Sequence, residues 1–131
     1  MTGSTATDST RVPRRVVIVD DDKGLLQLMD RWLTAAGYTT ELYNEFEAAR
    51  VRVSADAPDV LITDVRLGAY NGLHLVVMAK LRKPGIKAVV LTGFDDHVLQ
   101  HDALNAGAAF LLKPVTAERL LEAVEPTRAK A

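Results

Sequence analysis

"RRVVIVDDDKGLL", Arg14 to Leu26, carries four apolar residues straight into three carboxylates, Asp20, Asp21 and Asp22. A short β-branched run of this kind reads as a strand buried on both faces. Three adjacent acids at the end of a buried strand repel one another, and a half-buried carboxylate is unfavourable unless something neutralises it. The stretch therefore raises two questions: what covers the strand, and what neutralises the acids.

Reading outward from "VVIV" (16–19), apolar residues recur at Leu25, Leu28, Met29, Trp32, Leu33 and Ala36, the spacing of an amphipathic helix. Gly37 ends that helix as its C′ residue. "TTELY" (39–43) is a second, less apolar strand suited to a sheet edge. "NEFEAARVRVSAD" (44–56) predicts a helix capped by Asn44, and Pro58 resets the chain before the strand "DVLITD" (59–64). "NGLHLVVMAKLRK" (71–83) predicts a helix with Leu73, Val76, Val77 and Leu81 on its apolar face, stopped by Pro84-Gly85. "KAVVLTG" (87–93) is the fourth strand, and "DDHVLQHDALNAG" (95–107) the next helix, ended by Gly107. "AFLLKP" (109–114) is the fifth strand, and "TAERLLEAV" (116–124) a closing helix with Ala117, Leu120, Leu121 and Val124 inward. Five strands alternating with five helices predict an α/β domain: a parallel sheet covered on both faces and doubly wound through right-handed crossovers.

The 131 residues suit a single domain over 14–125. Residues 1–13 read as a disordered polar tail, and 126–131 as a C-terminal tail or the start of a linker. The net charge of −1 gives no global argument for nucleic-acid or membrane-surface binding. The absence of cysteine excludes a disulfide framework, a thiolate metal site and thiol catalysis. No apolar run is long enough to span a bilayer, and the N-terminal stretch has no signal-peptide core, so a cytoplasmic location is expected. His74, His97 and His101 fall on predicted helix surfaces without carboxylates at zinc-site spacing, and read as solvated histidines.

In open parallel sheets, ligands bind at the carboxyl ends of the strands. The first strand ends at Asp20-Asp21-Asp22, the third at Asp64, the fourth at Thr92-Gly93 and the fifth at Lys113-Pro114. If Asp20, Asp21 and Asp64 share one pocket, Lys113 balances one of their charges and a divalent cation would balance the other two. An all-oxygen site with few protein ligands suits Mg²⁺, which keeps waters and leaves positions open for a phosphoryl oxygen.

These motifs, "VDDD", "DVLITDVRLGAYNG", "VVLTG" and "AGAAFLLKPV" in that order, resemble the receiver domain of bacterial two-component response regulators over about Arg14 to Val124. The resemblance implies a flavodoxin-like fold with strand order 2-1-3-4-5. It implies that Asp64 is the phosphoacceptor, attacking a phosphohistidine on a sensor histidine kinase or histidine phosphotransfer protein. Asp21 matches the direct Mg²⁺ ligand, Asp20 a ligand acting mainly through metal-bound water, and the backbone carbonyl of Arg66 a further ligand. Lys113 matches the amine that pairs with the phosphoryl group, and Thr92 the hydroxyl that moves to bond it. Phe110 stands where an aromatic turns inward with that hydroxyl, and Pro114 matches a proline after a cis peptide bond. The implied output is a partner, or a fused domain, reading the face of the last two helices and fifth strand. The chain would then be a switch that catalyses only its own phosphorylation and dephosphorylation.

The departures from the family pattern carry their own expectations. Leu67-Gly68-Ala69 replaces the usual Leu-Pro step, which predicts a looser loop, while Gly72 keeps its place. "GAAFLL" lacks the acidic residues that form cross-dimer salt bridges in one class of receiver transcription factors, which bears on any phosphorylation-dependent homodimer. Arg66 and Phe94 occupy the positions that gate water, and the large Phe94 predicts slow dephosphorylation. Three other readings compete. A haloacid-dehalogenase-like phosphatase would use Asp20 and Asp22, but needs a later acidic pair and leaves Asp64 unexplained. A flavodoxin-like electron carrier needs a hydroxyl-rich phosphate loop where three aspartates stand. A degenerate receiver acting only as a docking module would leave the acidic set idle.

Overall fold

The computed structural model describes residues 14–93 and 97–125. Its strands are β1 (Arg15–Val19), β2 (Thr39–Tyr43), β3 (Val60–Asp64), β4 (Arg66–Leu67), β5 (Tyr70–Asn71), β6 (Lys87–Thr92) and β7 (Ala109–Leu112). Its helices are α1 (Lys23–Ala35), α2 (Phe46–Ala55), α3 (Leu73–Arg82), α4 (His97–Asn105) and α5 (Ala117–Val124). Five strands form one parallel sheet in the order β2-β1-β3-β6-β7, and β4 and β5 make a separate antiparallel pair. Counting sheet strands alone, this is the expected 2-1-3-4-5 order of a flavodoxin-like α/β fold.

Because side chains alternate across a strand, each central strand feeds two cores. Val17, Val19, Leu61, Ala88 and Val90 pack with α2, α3 and Ala103 of α4 on one face. Val16, Ile18, Val60, Ile62, Val89 and Leu91 pack on the other with Leu26, Met29 and Leu33 of α1 and Leu120 and Val124 of α5. The edge strand β2 is the one whose residues stay half-buried or exposed. All five sheet strands run the same way, so their carboxyl ends meet along one edge.

Four local expectations need correction. Ala36 is the exposed C-cap of α1 and not part of its buried stripe, while Gly37 takes a positive φ of 97° as the residue after the cap. Leu25 and Trp32 pack half-buried against the core, and so does Leu121 of α5. Helix α2 is capped at Glu45 without a side-chain hydrogen bond, so Asn44 is not its cap. Helix α3 buries Leu73, Leu75, Val76 and Ala79, and leaves Val77 and Leu81 at 49% and 80% exposure.

The cause of that rotation lies at the start of α3. Gly72 N donates to the Val65 carbonyl at 2.7 Å, and a Cβ at Gly72 would sit 2.0 Å from the Asp64 carbonyl oxygen. This backbone approach, open only to glycine, fixes how the helix is rolled on the sheet.

The fourth correction concerns the loop expected to be loose. Residues 66–71 close instead into a two-residue hairpin, Arg66 pairing with Asn71 and Leu67 with Tyr70, with Gly68 at φ 62° in the turn.

Candidate functional site

Backbone geometry at the strand ends brings the acids together. Asp20 directly follows β1, and its N–H donates to the Tyr43 carbonyl at 3.1 Å. Asp22 N–H donates to Asp20 Oδ1 at 2.9 Å, which folds the acidic run back on itself. Asp22 then turns to a different task, its Oδ1 accepting from Leu25 N at 3.1 Å as the N-cap of α1. Asp64 ends β3 opposite Leu91 of β6. Carboxylate oxygens of Asp20, Asp21 and Asp64 all lie within 4.8 Å of one another, with Asp20 and Asp64 buried and Asp21 exposed. The three adjacent acids therefore divide into two that face Asp64 and one that starts a helix.

Lys113, just past β7, reaches into this cluster. Its Nζ lies 3.0 Å from Asp20 Oδ2 and 3.3 Å from Asp64 Oδ2, and only the second contact has hydrogen-bond geometry. Asp20 Oδ2 is fully buried and, among the described residues, has the Lys113 ammonium as an ion-pair neighbour but no hydrogen-bond donor of good geometry. A carboxylate oxygen in that position is unfavourable without a cation beside it. Lys113 N–H donates to the Thr92 carbonyl at 2.7 Å, tying the two strand ends together. Thr92 is buried at the end of β6, paired in register with Leu112. Phe110 is half-buried against the core beneath the same edge. The Lys113–Pro114 peptide bond is cis.

The electrostatics follow from this crowding. Burial pushes the Asp64 carboxyl above its ordinary value, and the like charge of Asp20 pushes the same way. Lys113 and the Arg66 backbone N–H only partly oppose the rise. Burial pulls the Lys113 ammonium down, but the carboxylates of Asp20 and Asp64 outweigh it and hold the group above its usual value. Three acids facing one cation leave two negative charges over. The donor set is oxygen only, and one buried oxygen has no hydrogen-bond donor among the described residues. That chemistry fits a hard divalent cation such as Mg²⁺.

His74, His97 and His101 are exposed and lie outside this cluster. Arg66, expected to offer its carbonyl, opens the β4–β5 hairpin beside Asp64, with its side chain exposed. Phe94 and the expected tails, 1–13 and 126–131, lie outside the described residues. Sequence reasoning missed the pair that closes this loop. The rings of Phe46 and Tyr70 stack with centroids 4.5 Å apart and planes at 9°. No spacing rule links residues 24 positions apart on a helix and a hairpin, so the sequence carries no signal for it.

Among the described residues, no helix is long and apolar enough to cross a membrane. The family model of the response regulator receiver domain matches residues 16–125. Response regulator MprA of Mycobacterium ulcerans is 36% identical over 110 residues, covering 82% of this chain and 47% of the relative. Photosynthetic apparatus regulatory protein RegA of Rhodobacter capsulatus is 32% identical over 112 residues, covering 85% of this chain and 61% of RegA. Over its matched part the chain spans from about a quarter to three fifths of these longer regulators, 25% in the case of DctD of Rhizobium meliloti. A CheY-like receiver domain protein from Methanospirillum hungatei superposes with a TM-score of 0.79 at 29% identity, covering 85% of this chain and 90% of its own. A response regulator from Burkholderia pseudomallei, solved with a phosphorylated aspartic acid, a calcium ion and citrate, superposes at 0.78 with 25% identity over 86% of this chain and 66% of its own. With its sheet order, its acidic strand ends and a family match over most of its length, this chain belongs to the response regulator receiver domain family of two-component systems.

Proposed function

We propose that the chain is a phosphoacceptor switch in which Asp64 takes a phosphoryl group from a phosphohistidine of a sensor histidine kinase or histidine phosphotransfer protein. The observation that carries this reading is the convergence of Asp20, Asp21 and Asp64 at one edge of the sheet, with Lys113 against Asp20 and Asp64. The phosphorylated aspartic acid and calcium ion of the Burkholderia pseudomallei neighbour support it by likeness.

In this reading an Asp64 carboxylate oxygen attacks phosphorus, the new O–P bond forms as the P–N bond breaks, and the imidazole leaves with the bonding pair. Asp20, Asp21, Asp64 and the Arg66 carbonyl would hold Mg²⁺, which supplies charge neutralisation to the incoming phosphoryl oxygens. Lys113, held protonated by the acids around it, pairs with another phosphoryl oxygen. Thr92 turns toward the phosphoryl group and Phe110 follows it inward, which alters the face made by α4, β7 and α5. A partner or fused output domain reads that face, and a phosphorylation-dependent homodimer is one form it takes. The protein acts in the cytoplasm and turns over only its own phosphoryl group.

The test is the intact mass of the chain after incubation with acetyl phosphate, with and without Mg²⁺, beside Asp64→Asn. The expected result is one Mg²⁺-dependent phosphoryl adduct that the Asn variant lacks. Mg²⁺ binding without an adduct from either acetyl phosphate or a phosphorylated kinase domain would turn the reading to a docking module. Catalytic phosphate release independent of Asp64 would turn it to a phosphatase.

A further inference from the structure

The acidic cluster is built on strand ends, whereas the Arg66 carbonyl rides on a hairpin of two residues per strand. A pair that short has little stability of its own. Gly68 and Ala69 in its turn are exposed, as is Arg66. Something outside the hairpin must hold it. At its base, Gly72 is pressed against the Asp64 carbonyl, and Asn71 Oδ1 accepts from Leu73 N at 2.8 Å as α3 begins. At its tip, Leu67 and Tyr70 are directly paired and so share one face. Leu67 is buried in the core that contains Phe46, and the Tyr70 ring lies flat on Phe46 itself, the first residue of α2. A cleft of about 330 Å³ runs along this contact, lined by Asp21, Glu45, Phe46, Leu67 and Tyr70 among others, so the stacked rings stand beside the acidic cluster.

We infer that Tyr70 is a positioning residue for the metal centre: its stack on Phe46 clamps the β4–β5 hairpin to α2 and so fixes the Arg66 carbonyl toward the cation. The inference rests on the proposed Mg²⁺ site. A ring at Tyr70 that is 55% exposed adds little to the core, and its flat seating on Phe46 is the one ring contact among the described residues. Its effect is therefore on where the hairpin sits, and only weakly on whether the domain folds. The hydroxyl has no part in the clamp, so phenylalanine should serve as well as tyrosine.

The experiment is calorimetric titration of the 131-residue chain with MgCl₂, paired with thermal unfolding in EDTA, for wild type, Tyr70→Ala, Tyr70→Phe and Val77→Ala. Val77, at 49% exposure on α3, is a comparably exposed apolar truncation away from the hairpin. Tyr70→Ala should weaken Mg²⁺ binding about three- to tenfold, at or just below the low end of the roughly 10- to 100-fold that partners bonded directly to a metal ligand contribute, because the ring acts through the hairpin. Tyr70→Phe and Val77→Ala should stay within about twofold of wild type, and all three should unfold within about 3 °C of it, as exposed-site substitutions do. Equal Mg²⁺ affinity in wild type and Tyr70→Ala would overturn the inference and leave the metal site standing. A loss in Tyr70→Phe equal to that in Tyr70→Ala would overturn the ring clamp. A loss of affinity that only accompanies a large fall in unfolding temperature would assign Tyr70 a purely structural role. Absence of Mg²⁺ binding in wild type would remove the proposed site and this inference together.

Discussion

The two edges of the parallel sheet use the same residue type to opposite ends. At the amino edge, Asp59 meets Lys83 at 2.7 Å and accepts from Arg15 N at 2.8 Å, while Asp56 meets Arg15 at 3.0 Å. The Lys83 contact, followed by the Arg15 N–H, holds the Asp59 carboxyl below its ordinary value. At the carboxyl edge, Asp20, Asp21 and Asp64 cluster with one lysine that contacts Asp20 and Asp64, and burial with the Asp20 charge holds Asp64 above its ordinary value. Acids at the first edge are matched one to one and fasten β1, β3 and α3 together. Acids at the second are left in excess. An acid whose charge is already answered stabilises the fold, and an acid whose charge is not answered is poised to bind.

The largest stability effect should come from removing the shared cation. Lys113→Met removes the ammonium that contacts both Asp20, which is fully buried, and Asp64. Unfolding in EDTA should show a loss of about 2 kcal/mol, less than for a wholly buried pair because Lys113 is partly exposed. Millimolar Mg²⁺ should restore much of that loss, since a ligand of the native state stabilises it. An equal deficit with and without Mg²⁺ would mean that the acids do not await a cation.

A smaller effect of opposite sign is expected at Asp64. Asp64→Asn removes a charge that burial and Asp20 oppose, so in EDTA at pH 7 it should raise Tm by about 4 °C, the response to ~1 kcal/mol in a domain of this size. Because the native value of Asp64 is raised from 3.8, its ionisation weakens the fold as pH rises through that native value. The gain in Asp64→Asn should thus be full at neutral pH and vanish below about 3.8. With Mg²⁺ present the order should reverse if the proposed site holds the cation, because the Asn variant lacks one of its three carboxylates.

The smallest effect belongs to the amino edge. Asp59→Asn breaks an ion pair whose two side chains are 31% and 41% exposed, and should cost about 0.5 kcal/mol. Asp59 has a lowered native value, so its contribution is present above 3.8 and is lost as pH falls through that lower native value. Tm curves for the two Asn variants against wild type from pH 3 to pH 7 should therefore diverge upward and downward. Curves moving in the same direction would erase the distinction between the edges.

The parts of the chain that were legible in sequence are those governed by periodicity. "VVIV" and "VLITD" are buried on both faces, and a short apolar run rich in β-branched residues has no other comfortable place. The stripe of α1 was readable because helix and sheet demand a common 3.6-residue spacing, although its last member, Ala36, fell on the cap. Helix α3 shows the limit. Leu73, Val76, Val77 and Leu81 make a plausible apolar face, and so do Leu73, Leu75, Val76 and Ala79. Apolarity alone cannot choose between them, and the choice falls to Gly72 wedged against the end of β3.

The candidate site divides in the same way. Which residues stand at strand ends follows from the alternation of strands and helices, and that alternation named Asp20, Asp21, Asp64, Thr92 and Lys113. The split of the acidic run, with Asp22 spent on capping α1, required the turn geometry after β1. The hairpin at 66–71 is too short to leave a periodic signal, and the ring contact between Phe46 and Tyr70 joins segments that only the crossover from β2 through β3 brings together. By itself the sequence determined the fold class, the winding of the sheet and the list of side chains at its carboxyl edge, because hydrophobic period and chain order are local properties. Tertiary structure alone decided the roll of α3, the meeting of Asp20 and Asp21 with Asp64 and the reach of Lys113 to two of them, and the seating of the hairpin, because each depends on a distance between residues that the chain order leaves far apart.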